Sequence, residues 1–367
     1  MMKVHSFELY TAKIKLKKPF KTSLGVIKYS DHIFLKVISD TGEFGWGECA
    51  PTHDINGETI DTCIALSKQL TNSIIGMSCF SHGLIFEKLN SIIYGHQSIK
   101  SAIDVACYDL ASKCKKVPLY EYLGGKIDKK IYTDFTVSLD DVDKMVRQAG
   151  EIVEDGFKII KVKLGDDGKK DVERIKQIRA KIGDDKQIRI DANQGWNIDE
   201  AIYTLQNIHK YNIDYCEEPI DRDLSHRLKE VKKSSPIKIM ADESLFTSND
   251  ADMMIHGNHC DMFNLKIGKH GGLFETKNII EVAEKNNIPM QVGGFIESKI
   301  IFTVNCHLGH SSKLIKYFDC DSPLFHEYDP IIGGLEYKKD WELGLSSSAG
   351  IGVDVEESFL DKCSKIF

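Results

Sequence analysis

The 367-residue chain has no apolar run approaching the roughly 18 residues of a membrane-spanning helix. Its opening stretch, MMKVHSFELYTAKIKLKK, alternates apolar and polar residues and lacks the apolar block of a signal peptide. There is no excess of basic residues: a net charge of −7 argues against nucleic acid as the main partner. No CxxC pair occurs among the ten cysteines, which lie scattered in apolar contexts such as Val105-Ala106-Cys107-Tyr108, where a thiol packs as a small hydrophobe. A reduced, cytoplasmic setting is therefore expected. No GxGxxG follows an early strand and no GxxxxGK[ST] is present, which removes the main support for a doubly wound nucleotide-binding fold.

What is present divides into two units. Residues 1–124 read as an α+β capping domain. Strand-like alternation at Phe7–Leu16 and His32–Ile38 leads through the turn Ser39-Asp40-Thr41-Gly42 into a return strand at Phe44–Glu48. Helical stretches follow, the clearest being Ile99–Lys113, with Ile99, Ile103, Ala106 and Leu110 on one face. From Ile131 short apolar strands alternate with amphipathic stretches such as Lys169–Ile182, Asp199–Tyr211 and Gly272–Lys285. The strands read as Ile131–Val137, Ile159–Leu164, Ile188–Ala192, Asp214–Glu217, Ile237–Ala241, Met262–Ile267, Pro289–Val292 and Ile315–Phe318. Eight β-α repeats predict an α/β fold of the (β/α)8-barrel type over 125–322. The segment 323–367 is rich in strands and turns and is expected to pack back on the capping domain.

In such a barrel, chemistry sits at the carboxyl ends of the strands. Those ends carry Lys163, Asp191, Glu217, Asp242 and Lys266, each 24 to 28 residues after the last, one βα repeat per step. A single charged strand end is commonly just solvated. Five at equivalent stations, in the order + − − − +, call for a functional explanation. Asp191, Glu217 and Asp242 come from neighbouring strands and can converge on one hard cation. Oxygen-only ligands fit Mg2+, with Mn2+ able to replace it, and no His or Cys stands at these stations for zinc. A ring of salt bridges with the lysines is the alternative.

Strands two and six lie opposite each other in an eight-stranded ring, so Lys163 and Lys266 are expected to flank a substrate on its two faces. That is an arrangement for 1,1-proton transfer, one lysine removing a proton and the other returning one. Desolvation, a neighbouring ammonium and the metal are expected to lower a lysine pKa toward neutrality. Lys161, two residues before Lys163 on the same face, is expected to steady negative charge on the substrate carboxylate. A barrel kept for binding alone would be expected to have lost a station, and none is lost.

The segments Lys161-Val162-Lys163, Asp191-Ala192-Asn193-Gln194-Gly195-Trp196, Glu217-Glu218-Pro219, Ala241-Asp242-Glu243-Ser244 and Asn264-Leu265-Lys266-Ile267-Gly268 resemble the signature of the enolase superfamily, muconate lactonising enzyme subgroup. The likeness also takes in Trp46-Gly47-Glu48 and the helix Ala102–Asp109. It implies Asp191, Glu217 and Asp242 as Mg2+ ligands and Lys163 and Lys266 as the acid/base pair. A lysine base beside Mg2+ is that superfamily's known pattern.

The subgroup spans muconate cycloisomerases, o-succinylbenzoate synthases, N-acyl amino acid racemases and dipeptide epimerases. Strand eight ends in Asp319-Cys320-Asp321. Two carboxylates across the pocket from the metal suit a cationic group such as the free amine of a dipeptide, and the pair is similar to the one with which dipeptide epimerases hold that amine. A solvated acidic loop is the plainer explanation. Epimerases acting on Ala-Glu carry an arginine shortly after a Pro-Phe-Lys-Thr segment. Here Pro19-Phe20-Lys21-Thr22 leads to Gly25 at that place, leaving Lys21 or Lys28 as substitutes. The Gly25 region and the Thr52–Gly57 loop are expected to close over the pocket, with Thr136, Phe295 and Ile296 as further substrate contacts. The expected reaction is Mg2+-dependent epimerisation at the C-terminal α-carbon of a dipeptide by a homo-oligomeric enzyme, with no membrane partner.

Overall fold

The computed structural model describes residues 2–367. Its first unit is an antiparallel sheet of β1 (Val4–Thr22), β2 (Gly25–Ser39) and β3 (Phe44–Cys49). The hairpin β1–β2 is longer than the alternation predicts. Lys17-Lys18-Pro19 interrupts the pattern at a register shift between Lys15 and Phe20, after which pairing resumes up to Thr22 and Gly25. The Gly25 region is thus the tip of a long ribbon. The helix Gln97–Cys114 lies against the sheet. Gly45 and Gly47 permit this: a β-carbon at either position would overlap the carbonyl of Ala106 or Ala102.

The second unit contains eight parallel strands in the order of the chain: β4 (Phe135–Val137), β5 (Ile159–Lys163), β6 (Gln187–Asp191), β7 (Ile213–Glu217), β8 (Ile239–Ala241), β9 (Met262–Lys266), β10 (Met290–Gly293) and β11 (Ile315–Phe318). Helices follow the strands, among them Gly168–Ile182 and Ile198–Ile208, the latter capped by Asn197 and Glu200 in a reciprocal capping box. β4 is shorter than predicted because residues 131–133 pair elsewhere. Leu343 N donates to Ile131 O at 2.9 Å, and Thr133 N donates to Trp341 O at 3.3 Å. Contacts of another kind join β4 to β11. Asp134 N donates to Phe318 O at 3.4 Å, Cys320 N to Thr133 Oγ1 at 2.9 Å and Thr136 N to Asp321 Oδ2 at 2.7 Å.

Within residues 323–367, Asp329 and Leu335 bond to the helix Lys299–Gly309 of the second unit, while residues 351–365 reach the first. Ser364 and Lys365 pair with Thr11 and Tyr10 on β1. Trp46 Nε1 donates to Asp354 Oδ1 at 2.8 Å, and Ile351 N donates to Asp109 Oδ1 at 2.7 Å. All ten cysteines are free thiols, most of them buried. No helix among the described residues is long and apolar enough to cross a membrane.

Candidate active site

Parallel pairing fixes the relative height of the stations. Lys163 on β5 is level with Asp191 on β6, and Asp191 with Glu217 on β7. Asp242 follows the last residue of β8, and Lys266 ends β9. Lys163 and Lys266 line one cavity of about 260 Å³ together with Thr136, Asn193, Glu243, Asp319 and Asp321. Its roof is the β1–β2 tip, including Phe20, Leu24, Gly25 and Val26, and the stretch Thr52–Ile55, while Phe295 and Ile296 add an apolar wall. Each lysine has an aromatic neighbour: Lys163 Nζ lies 5.8 Å from the Phe20 ring centroid and Lys266 Nζ 5.5 Å from that of Phe295.

The roof is fastened to the barrel. Ser23 Oγ lies 2.8 Å from Asn193 O and 3.0 Å from Ala192 O. Arg222 Nη1 donates to Ile55 O at 2.6 Å, and Asn56 Nδ2 donates to Gly268 O at 3.2 Å. Gly25 faces open space where a side chain would begin. Neither Lys21 nor Lys28 lines the cavity, so neither takes the place of an arginine there.

Below the cavity floor, Asp191, Glu217 and Asp242 are fully buried. Asp191 Oδ2 is 2.6 Å from Lys163 Nζ. Glu217 accepts from Asn264 Nδ2 at 2.7 Å and Gln291 Nε2 at 3.3 Å. Asp242 Oδ1 is 2.7 Å from the buried Lys269 Nζ. Asp242 Oδ2 is 2.6 Å from Lys266 Nζ but off the hydrogen-bonding direction, and it has no hydrogen-bond partner. Burial and the adjacent Asp191 charge push the Glu217 carboxyl up to about 8. Burial also works against ionised Asp191, but Lys163, Lys161 and Lys266 outweigh it and draw that carboxyl down to about 2. Three crowded carboxylates, one with an unsatisfied oxygen, make an all-oxygen donor set that fits a hard divalent cation.

Two further features concern the buried lysines. Lys161 does not line the cavity. Its ammonium is buried and lies 2.7 Å from Asp319, 2.8 Å from Glu217 and 3.2 Å from Asp191, joining the acidic end of β11 to the carboxylates of β6 and β7. Burial presses the Lys266 ammonium toward neutrality, but Asp242, Glu217 and Glu243 outweigh it and hold the pKa well above its ordinary value.

A second acidic group among the described residues is Asp134, Asp319 and Asp321, one carboxylate oxygen of each lying within 4.8 Å of the others. Asp134, Asn193, Glu243 and Lys269 went unassigned in the sequence. A signal was present for some: Asn193 lies two residues beyond Asp191, and Lys269 is one helical turn after Lys266. Asp134 begins no regular spacing.

Residues 6–124 match the family described as the mandelate racemase/muconate lactonizing enzyme N-terminal domain, and residues 144–359 match the enolase C-terminal domain-like family. The chain is 43% identical to a D-Ala-D/L-Ala epimerase of Cytophaga hutchinsonii, over 100% of this chain and 99% of that one. It is 29% identical to an N-succinyl-L-Arg/Lys racemase of Bacillus cereus, over 98% of each. The crystal structure of the Cytophaga hutchinsonii dipeptide epimerase, complexed with Mg and D-Ala-L-Val, superposes with a TM-score of 0.97 at 42% identity, covering 99% of this chain and 98% of that one.

Proposed function

The chain belongs to the mandelate racemase/muconate lactonizing enzyme group of the enolase superfamily, and from that membership we propose that it is a divalent-metal-dependent dipeptide epimerase. The carrying observation is one cavity with a lysine on each of two opposed strands and the Asp319/Asp321 pair in the same lining. Relatives named as epimerases and racemases, one of them in complex with Mg and a dipeptide, support an isomerase of this kind.

In this reading the substrate's C-terminal carboxylate lies toward Asp191, Glu217 and Asp242, and its ammonium toward Asp319 and Asp321. Asp191, Glu217 and Asp242 hold Mg2+, which supplies electrophilic stabilisation of carboxylate oxygens when bound. Lys163 and Lys266 exchange the proton at the α-carbon: one accepts it from one face and the other donates a proton to the opposite face, with no change in oxidation state. A base must be neutral to accept that proton, so the carboxylates that now hold Lys266 charged must have their own charge met. The roof excludes water from the exposed α-carbanion.

The deciding experiment incubates Ala-containing dipeptides with the enzyme and Mg2+ in D2O and follows the C-terminal α-proton by NMR. Deuterium incorporation with inversion at that carbon is expected. If N-succinyl amino acids exchange and free-amine dipeptides do not, the chain is an N-acyl amino acid racemase.

A further inference from the structure

Asp134, on the residue before β4, is fully buried beneath the cavity and is not part of its lining. Its Oδ2 accepts from Arg189 Nη1 at 2.7 Å, and the same nitrogen donates to Phe318 O at 3.2 Å. Its Oδ1 has no hydrogen-bond partner. The guanidinium is itself buried, 5.1 Å from the Tyr317 ring centroid and 5.8 Å from that of Tyr215. Asp134 is therefore anchored from below and directed at Asp319 and Asp321, within 4.8 Å of both.

The charges in this group do not cancel. Arg189 meets Asp134, and Lys161 meets Asp319. Asp321 is buried, accepts a hydrogen bond from Thr136 N at 2.7 Å and has no ion-pair partner. Three carboxylates face Arg189 and a Lys161 that Glu217 and Asp191 also share, so the group is short of at least one positive charge. Burial beside Asp319 and Asp134 pushes the Asp321 carboxyl well up, toward holding a proton in its place. Burial, with Asp319 alongside, pushes the Asp134 carboxyl up to about 7, as such a deficit requires. A single ammonium would complete the group, whereas a neutral amide would leave it unmet.

We propose that Asp134, held by Arg189, is a positioning residue of the amine subsite and makes it a three-carboxylate cradle matched to one ammonium. This rests on the reading of Asp319 and Asp321 as the pair that faces the substrate amine. Asp134 acts through them: its charge sets the deficit, and its bond to Arg189 fixes the backbone at Phe318, from which the pair departs.

The test compares Asp134→Asn with wild type on a free-amine dipeptide and on its N-acetylated counterpart, with Mg2+ saturating. Loss of one buried charge should raise KM for the free amine by about tenfold and leave kcat within about twofold. KM for the N-acetylated compound should stay level or fall, a split that a general loosening of the barrel would not produce. Because the Asp134→Asn change leaves Arg189 buried without its ion pair, the double variant Asp134→Asn/Arg189→Gln is measured in parallel. The double variant removes one charge of each sign and restores the deficit of positive charge, so its KM for the free amine should return toward the wild-type value. An unchanged KM for the free amine in folded Asp134→Asn overturns the proposal, as does an equal rise for both compounds. Asp321→Asn serves as the control. If it raises KM and Asp134→Asn does not, only the role of Asp134 fails; if neither does, the amine-pair reading itself falls.

Discussion

Lys266 Nζ stands 2.6 Å from Asp242 Oδ2, yet that oxygen has no hydrogen-bond partner. The pair is held by charge rather than by a directed bond, so the carboxylate remains open to a different cation. Chelation should abolish α-proton exchange, and Mg2+ or Mn2+ should restore it. Loss of several kcal/mol of charge stabilisation corresponds to a rate drop of about a thousandfold or more. Bound Mg2+ should also raise the melting temperature of the wild-type protein and not that of Asp191→Asn. Full exchange activity after exhaustive chelation would end the metal assignment.

The opposed lysines lead to an asymmetric result. Lys163→Ala and Lys266→Ala should each lower epimerisation by about 100- to 10,000-fold, the range for a positioned acid or base. Each variant should still wash deuterium into one diastereomer, a different one in each case. NMR of paired diastereomers in D2O reads this directly. Identical residual exchange in both variants would mean that a single base serves both faces.

At the amine end, Asp321→Asn should raise KM for a free-amine dipeptide by about tenfold with kcat little changed. Steady-state kinetics on the free and N-acylated forms check it. Equal sensitivity of the two forms would place the amine elsewhere.

Stability should depend on Asp104. This residue of the helix Gln97–Cys114 is fully buried, and its Oδ2 accepts from Phe274 N at 3.2 Å. Burial pushes its carboxyl up to about 7. A carboxyl that holds its proton more tightly when folded favours the folded state at low pH. That contribution is whole below about 4, where the unfolded group titrates, and declines as pH rises to about 7. Asp104→Asn should therefore flatten the fall in melting temperature between about pH 4 and 7. An unchanged slope in the variant would show that Asp104 is not the group responsible.

The sequence revealed most where one property repeats. Lys163, Asp191, Glu217, Asp242 and Lys266 were legible because each recurs one βα repeat after the last, at a fixed strand end. The roof was less so: Lys17-Lys18-Pro19 breaks the alternation although the backbone carries the ribbon past it to Thr22. Lys161 shows a different limit. Residue parity tells which face it occupies but not that its four-carbon stem crosses to Asp319. Asp134 was invisible because its meaning lies in Phe318, Asp319 and Asp321, far along the chain and joined to it across the junction of β4 and β11 and through Arg189.

The return of residues 350–365 to the first sheet bears on how the protein is made. Leu119 N donates to Gly350 O at 2.8 Å, Trp46 is fastened to Asp354, and Ser364 and Lys365 cover part of the edge of β1. Synthesis proceeds from the amino end, so the capping sheet emerges early with that edge bare and the Trp46 indole without its acceptor. It must wait through translation of the whole barrel for the strand that completes it. A ribosome stalled before residue 350 would therefore display an incomplete cap with an edge open to pairing with another chain.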